Sequence, residues 1–348
     1  MRVPISAVGV ALAVTLLLSG CSGAASATGP VQEIRLGYFD NLTHAPALVG
    51  IEQGFFADAL GETTLTAQAF GAGPAAIEAL SAGAIDAAYV GPSPAINTFV
   101  QSKGQSAVIV AGATIGGAAL VVRDGIDSPA DLAGTTLASP QLGNTQDVAL
   151  RSWLEDEGYE TSTTGGGDVT VTPTDNARAL TLLQSGQIDG AWLPEPWVSR
   201  LVLEADAHVL VEESSRWPNG EFPTTVLLVG ADFNRDHPET VRALLEGHTA
   251  SIAWLNEHQA EAAGVINAKL TADTGKPLAD AVIERALVGL HFTNDPLAGT
   301  FPVSLRRAVS AGLAKDGDLN GLFDLTQLNG VLAAAQGAPV SAAGLGTE

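Results

Sequence analysis

Two similar stretches of sequence decide the fold: AAIEALSAGAIDAAYVGPSP at residues 75–94 and ARALTLLQSGQIDGAWLPEP at residues 177–196. The identical positions recur 103 residues later: Leu80, Gly83, Ile85, Asp86 and Ala88 return as Leu183, Gly186, Ile188, Asp189 and Ala191. Solenoid repeats have periods of about 20 to 50 residues, so one repeat near 100 residues predicts two similar lobes.

Each copy lies in a run of alternating strand and helix patterns. From Val31 onward the chain predicts three strands separated by two helices. The strands are EIRLGYF, TLTAQAF and AIDAAYVG, and the helices are APALVGIEQGFFADAL and GPAAIEALSAG. The pattern restarts at TTLASP (Thr135 to Pro140) and runs to QIDGAWLP. This alternation is typical of α/β proteins with largely parallel sheets. We predict an α/β fold of two lobes with a cleft between them.

The N-terminus predicts export. Ala7 to Leu18 is apolar apart from Thr15. This run is shorter than the roughly 20 residues of a membrane-spanning helix, and small residues lead from it to Cys21. The ending LSGC resembles a bacterial lipoprotein signal, which implies that residues 1–21 are a signal peptide and that Cys21 is lipidated. An ordinary secretory signal with an incidental cysteine is the alternative. Residues 22–30 then form a flexible tether.

The charge is strongly negative, with 16 Lys and Arg against 38 Asp and Glu, a net charge of −22. Affinity for nucleic acid depends on Lys and Arg that neutralise phosphates, so we expect no nucleic-acid partner. Cys21 is the one cysteine of the chain, so its assignment to the N-terminus leaves the folded part without disulfides or thiolate sites. Any anionic ligand must then be bound by local dipoles rather than by the overall field.

Uncharged donors follow the predicted strands of both lobes. In open parallel sheets, ligands bind at the carboxyl ends of the strands, where helix N-termini carry partial positive charge. Thr43 and Thr145 occupy matching positions at two such helix starts, although each could be only a helix cap. The predicted ligand-binding residues from these turns are Asn41, Thr43, His44, Gly73, Ser93, Gln141, Asn144, Thr145, Gln146 and Thr225. His44 could donate to a ligand or lie at the surface.

Three further candidates, Trp192, Glu195 and Trp197, lie in and around the turn PEPW of the second lobe. Either tryptophan could pack against an organic tail or belong to the core. A carboxylate repels an oxyanion, so Glu195 could face solvent, bind a cationic end of the ligand or fix a neighbouring donor, and we favour the last. Aromatic walls would favour a ligand with an organic tail.

Several segments together resemble one family: IRLGYFDNLTHAPALVGIEQGFF, GPAAIEALSAGAIDAAYVGPSPAI, LGNTQDVALRSWL and IDGAWLPEPWVSRLV. They resemble solute-binding lipoproteins of ABC importers for aliphatic sulfonates, taurine and nitrate. The resemblance implies the type II periplasmic-binding-protein fold, whose chain crosses twice between lobes. We place the crossings near Val121 to Arg123 and Leu227 to Gly230. Lobe 1 is then 31–122 plus 231–348, and lobe 2 is 123–230.

The resemblance also implies the function and the partners. We expect a binding protein, not an enzyme, that captures a small anion, most of all an alkanesulfonate or taurine, and delivers it to a permease with its ATPase subunits. Nitrate, bicarbonate or another small organic solute is the alternative ligand. The protein is expected to be a monomer without a cofactor, bound through Cys21 to the extracytoplasmic face of the bacterial cell membrane.

Other readings of the sequence are weaker. FGAGPAA fits a relaxed dinucleotide fingerprint, but no acidic residue follows in the expected context. The six histidines are scattered without paired metal-ligand spacing, so we expect no metal. The lack of any cysteine after Cys21 excludes cysteine-dependent enzymes on this fold, whereas a cysteine-independent enzyme stays open.

Overall fold

The computed structural model describes residues 31–348, so the predicted signal peptide, Cys21 and the tether lie outside the described residues. The strands are β1 (Glu33–Tyr38), β2 (Thr64–Ala69), β3 (Ala87–Val90), β4 (Ala107–Gly116), β5 (Ala118–Val122), β6 (Thr136–Ser139), β7 (Thr170–Pro173), β8 (Gly190–Pro194), β9 (His208–Glu212), β10 (Pro223–Gly230), β11 (Leu290–Phe292), β12 (Phe323–Asp324) and β13 (Gly346–Thr347).

The helices are α1 (Ala45–Glu52), α2 (Phe55–Leu60), α3 (Gly73–Ser81), α4 (Pro92–Ser102), α5 (Thr145–Asp156), α6 (Asn176–Gln184), α7 (Trp197–Glu204), α8 (Ala231–Asp236), α9 (Pro238–Glu257), α10 (Gln259–Thr274), α11 (Asp280–Val288), α12 (Phe301–Ser310) and α13 (Thr326–Ala334). Short 3₁₀ helices cover Leu42–His44, Pro129–Leu132, Glu213–Arg216, Pro218–Gly220 and Ala298–Thr300. None of the helices described is long and apolar enough to cross a membrane. One predicted helix over residues 45–60 is instead two helices, α1 and α2, interrupted at Gln53–Gly54.

The two sheets share one topology. Five strands of the eight-stranded sheet follow the order β2-β1-β3-β10-β4, and the five-stranded sheet follows the order β7-β6-β8-β5-β9. In each, three strands are parallel, and the fourth in order, β10 or β5, pairs antiparallel with both neighbours. The chain is therefore a two-lobed α/β protein built from two copies of one unit.

The repeated sequence motif closes a helix and fixes a strand in both lobes. Gly83 and Gly186 follow α3 and α6 with φ of 67° and 68°, a left-handed conformation that favours glycine. The carboxylate of Asp86 accepts a hydrogen bond from the backbone N–H of Arg35 at 2.8 Å, and Asp189 accepts one from Thr136 at 2.8 Å. The motif is structural, and it ties each third strand to the first.

The chain changes sheets at different positions from those predicted. The first change occurs at Gly116 and Gly117, whose φ angles of 81° and 71° both lie in the left-handed region, and β5 pairs entirely within the smaller sheet. The second lies between β9 and β10, and β10 pairs within the larger sheet. The predicted crossings near Val121 and Leu227, and the lobe boundaries at 122 and 230, are therefore each late by about one strand.

The C-terminal third returns to the larger sheet and completes its core. Helix α9 packs against α1 and α2, and β11, β12 and β13 extend the sheet. The buried His248 of α9 bonds the Tyr89 hydroxyl at 2.7 Å through Nδ1 and the Gly112 carbonyl at 2.8 Å through Nε2. These bonds fasten α9 to the two central strands β3 and β4.

Candidate functional site

A small cavity of about 20 Å³ lies between the two lobes, at the carboxyl ends of the parallel strands. A cavity must offer about 10–15 Å³ to hold one water molecule, so this space matches a very small group. Every side chain that lines it is uncharged, histidine included. The lining residues are Phe39, Asn41, Thr43, His44, Gly71, Gly91, Asn144, Gln146, Asn176, Pro194 and Thr224.

Helix N-termini converge on this cavity from both lobes. Asn41 precedes the 3₁₀ helix Leu42–His44, Gly91 precedes α4, Asn144 precedes α5, and Asn176 begins α6. The first N–H groups of a helix have no partner within the helix and carry partial positive charge. Neither Asn41 nor Asn144 uses its side chain to cap its helix. The arrangement can bind an oxyanion without any Lys or Arg.

The two lobes touch each other across the cleft. Thr145 Oγ1 accepts a hydrogen bond from the backbone N–H of Ser93 at 3.3 Å, and Trp197 Nε1 donates to Asn41 Oδ1 at 2.9 Å. The approach at Gly91 is close enough that a Cβ there would lie 2.3 Å from Thr145 Oγ1. The protein is therefore in a closed arrangement.

His44 is a buried neutral donor. Its side chain is 2% exposed, and burial lowers its pKa to about 3. Nδ1 accepts a hydrogen bond from the backbone N–H of Phe39 at 3.3 Å, which leaves the proton of the neutral ring on Nε2. The Phe39 ring lies 4.2 Å from the imidazole and restricts its orientation. Well above pH 3, the neutral imidazole of His44 can therefore donate a hydrogen bond to an anion from Nε2.

A larger cavity, here called the vestibule, adjoins the small one. It has a volume of about 390 Å³ and shares Phe39, Asn41, Gly71 and Asn176 with the small cavity. Its other lining residues are Asp40, Phe70, Asp175, Ala177, Pro196, Trp197, Arg200, Leu270, Thr274, Lys276, Pro277 and Leu278. A polar recess that continues into a partly apolar space is suited to an organic molecule with an anionic end.

The structure brings most of the predicted site residues together. Asn41, Thr43, His44, Asn144 and Gln146 line the small cavity, and Trp197 lines the vestibule. Ser93, Gly73 and Thr145 form the contact between the lobes. A Cβ on Gly73 would lie 3.0 Å from Asn144 Oδ1, so this glycine allows α3 to approach the other lobe.

Besides the three residues of the interlobe contact, four predicted residues line neither ligand cavity: Gln141, Trp192, Thr225 and Glu195. Gln141 is exposed and lines neither cavity. Trp192 is fully buried in the core, where Nε1 donates to Glu213 Oε2 at 2.8 Å and the ring packs 5.9 Å from Trp153. Thr225 is buried, and its neighbour Thr224 lines the cavity instead, because successive residues of a strand point to opposite faces.

Glu195 faces away from both ligand cavities. Its carboxylate accepts hydrogen bonds from the Ser199 backbone N–H at 3.0 Å and hydroxyl at 2.9 Å, in the first turn of α7. Burial raises its pKa to about 7, although the Ser199 bonds act in the opposite direction. It lines a separate cavity of about 450 Å³ beside Gly116, Gly117 and the second crossing. Glu195 thus fixes Ser199, which lines neither ligand cavity, and its predicted part in ligand binding stays a prediction.

Asn176 was not among the predicted site residues. Its side chain is 7% exposed and lines both cavities, and its Oδ1 atom has no hydrogen-bond partner among the described residues. The signal available in the sequence was position, since TDN follows the second strand of lobe 2 as GAGP follows that of lobe 1.

A buried ion pair holds the loop that carries Asn144. Asp147 accepts hydrogen bonds from Ser139 Oγ at 2.7 Å and from the Gly143 backbone N–H at 2.9 Å. It also pairs with Arg151 at 3.0 Å, and the two side chains are 0% and 1% exposed. Because Asp147 bonds residues on both sides of the loop 140–144, it fixes the approach of that loop to the cavity.

Residues 27–269 match the sequence model of a family described as NMT1-like. The chain belongs to the NMT1-like family. This NMT1-like protein is 28% identical over 271 residues to a putative aliphatic sulfonates-binding protein of Bacillus subtilis, a match that covers 73% of this chain and 75% of that protein. It is 29% identical over 198 residues to the taurine-binding periplasmic protein of Escherichia coli, which covers 57% of this chain and 59% of the other.

Solved structures share the fold of this NMT1-like chain. The alkanesulfonate-binding protein SsuA of Xanthomonas axonopodis pv. citri, bound to MOPS, superposes with a TM-score of 0.68 at 20% identity, over 82% of this chain and 95% of that one. The periplasmic nitrate-binding protein NrtA of Synechocystis PCC 6803 superposes with a TM-score of 0.69 at 16% identity, over 81% and 82%. The fold is therefore the two-lobed type II periplasmic-binding-protein fold.

Proposed function

We propose that this NMT1-like protein is the substrate-binding protein of an ABC importer and captures an organic sulfonate between its lobes. The observation that carries the proposal is the convergence of helix N-termini from both lobes on a small cavity lined by uncharged donors. A sulfonate is a permanent anion with three acceptor oxygens. Neutral donors and helix termini suit such an anion better than they suit a cation or a proton-exchanging substrate.

The proposed mechanism is capture by closure without bond-making. In the open protein, the donors at Thr43 and His44 belong to one lobe and those at Asn144 and Gln146 to the other. An anion that binds both sets favours the closed arrangement, because only that arrangement satisfies both at once. The interlobe bonds from Ser93 to Thr145 and from Trp197 to Asn41 then hold the closed form. The permease and its ATPase subunits would recognise this form.

The vestibule favours an organic sulfonate over nitrate or bicarbonate. An inorganic anion would leave the aromatic surfaces of Phe39, Phe70 and Trp197 without a ligand contact. Two relatives are described as binding proteins, one a putative aliphatic sulfonates-binding protein and the other a taurine-binding protein, which supports a binding function rather than catalysis. An enzyme would return a changed molecule, so mass spectrometry of the released ligand separates the two functions.

We further propose that the mature protein is a monomer on the extracytoplasmic face of the cell membrane, anchored through a lipid on Cys21. The support for the anchor is the sequence LSGC after an apolar run. Lipidation raises the mass of the mature N-terminal peptide and is lost in Cys21→Ala, which mass spectrometry of the membrane fraction measures. An unmodified N-terminus would contradict it.

Calorimetric titration with ethanesulfonate, taurine, nitrate and bicarbonate tests the ligand class. We expect sulfonates to bind, and a sulfonate at 100 times its Kd to stabilise the fold by about 2.7 kcal/mol. Thr43→Val should weaken sulfonate binding by about tenfold, since one hydrogen bond to a charged group contributes roughly 1.5–3 kcal/mol. The matched control is Thr249→Val, a half-buried threonine of α9 that lines neither cavity. Absence of binding by every anion in the series would overturn the proposal.

A further inference from the structure

Helix α12 connects the two lobes through contacts that involve neither ligand cavity. Phe301 and Leu305 on one face of the helix belong to the hydrophobic core of lobe 1. The same helix packs against α5 of lobe 2, where the Ser310 hydroxyl lies 2.7 Å from each carboxylate oxygen of Glu155. The lobes are therefore joined by α12 as well as by the two crossings of the chain.

Arg307 of α12 contacts the second crossing, the segment 213–222 between β9 and β10. Its Nη2 donates to the Arg216 carbonyl at 2.9 Å, and its guanidinium carbon lies 4.2 Å from the centroid of the Trp217 ring. Arg307 forms no ion pair among residues 31–348, so both of these contacts go to the crossing. A guanidinium over an indole adds a cation–π attraction to the hydrogen bond. Arg307 thus binds α12 to one of the two segments about which the lobes turn.

The second crossing is itself bound to lobe 2 and to the first crossing. The Arg216 side chain pairs with Asp156 of α5 at 2.5 Å. The Trp217 ring stacks on Phe222 with centroids 6.2 Å apart, and the Phe222 carbonyl accepts a hydrogen bond from the Gly116 N–H at 3.1 Å. A contact of α12 with this segment therefore reaches α5 and both crossings.

Opening of the cleft would act on these contacts because α12 belongs to lobe 1. Helix α12 packs against α4 as well as against α5. The starts of α4 and α5 meet in the closed arrangement, where the Ser93 N–H donates to Thr145 Oγ1. When the lobes separate there, α12 moves with α4 and away from α5, as expected for hinged rigid bodies. The contacts of α12 with lobe 2 are then strained or lost, so they favour closure.

We propose that α12 stabilises the closed arrangement independently of the ligand, and that Arg307 is the positioning residue for this effect. The proposal rests on the proposed binding function, in which closure captures the ligand. Apparent affinity scales with the population of the competent state, so a residue that acts only on closure changes every dissociation constant by one factor. A residue that touches the ligand would instead change different dissociation constants by different factors.

Calorimetric titration of Arg307→Ala with ethanesulfonate, taurine and benzenesulfonate tests this proposal. We expect all three dissociation constants to rise by a common factor of about ten, since a charge-assisted hydrogen bond and a cation–π contact are both lost. Arg307→Lys retains the charge and one donor and should recover part of the affinity. Arg306→Ala removes an equal charge from the exposed neighbouring position and is the matched control. The titration stoichiometry separates weaker binding from partial unfolding, which lowers the number of sites instead.

Ser310→Ala is a second and milder variant that keeps the test valid if Arg307→Ala does not fold. It removes only the bonds to Glu155 and should raise the three dissociation constants together by a smaller factor. Unchanged affinities in the folded variants would overturn the role of α12 and leave sulfonate binding intact. Losses that differ between the three ligands would overturn an action through closure alone. Absence of binding by the natural protein would overturn the sulfonate function, and this proposal with it.

Discussion

At the scale of single residues, protonation is controlled by burial more than by partners. His44 and Glu195 illustrate this from opposite sides, since burial lowers the pKa of the imidazole to about 3 and raises that of the carboxyl to about 7. Both effects favour the neutral form. The cavity thus has an uncharged donor facing it at His44, and α7 begins beside a carboxyl group that titrates near neutrality.

Glu195 makes the stability of the protein depend on pH in a direction opposite to most carboxylates. Between pH 4.5 and pH 7 the folded protein retains the proton that the unfolded chain has lost, so this contribution falls as pH rises. Glu195→Gln mimics the protonated form. We expect it to match the natural protein at pH 4.5 and to be more stable at pH 8 by up to about 3 kcal/mol, since one pKa unit is about 1.4 kcal/mol. Urea unfolding at both values measures the difference, and a pH-independent difference would contradict the account.

At the scale of elements, the cleft loops are positioned by buried polar groups. Asp147 joins the end of β6, the loop 140–144 and α5 through Ser139, Gly143 and Arg151. Asp147→Asn leaves the Arg151 charge buried without its counter-charge, which costs about 3–5 kcal/mol. Glu246→Gln, which breaks the exposed pair with Arg242, should cost only about 0.3–0.5 kcal/mol. Equal unfolding midpoints for the two variants in urea would show that the buried pair does not hold this loop.

The repeated motif could be predicted from the sequence, whereas the pairing of strands between the sheets could not. The repeat predicted the matching topology because Gly83 and Asp86, like Gly186 and Asp189, have local and specific roles. The crossings were misplaced because strand pairing, which no local pattern records, assigns β5 and β10 to their sheets. For the same reason Trp192 belongs to the core while Trp197, five residues later, reaches the vestibule.

At the scale of the whole molecule, the proposed function depends on how closely the lobes approach. The lobes approach each other closely at Gly91, where a Cβ would lie only 2.3 Å from Thr145 Oγ1. Gly91→Val should therefore obstruct closure, and its φ of −74° is one that valine adopts without strain, so the open fold should persist. Gly91 also lines the small cavity, so the new side chain adds to the cavity wall beside Thr145, whereas the other lining side chains are unchanged.

Small-angle X-ray scattering with and without a saturating sulfonate measures closure directly. We expect the natural protein to become more compact with ligand and Gly91→Val to stay expanded. Its apparent affinity should fall by at least about tenfold if the closed fraction falls by that factor, because apparent affinity scales with the competent population. Gly264→Val is the matched control, since a Cβ at Gly264 meets nothing within 4 Å. Compaction and affinity unchanged in Gly91→Val would mean that ligand binding does not require the interlobe contact at Thr145.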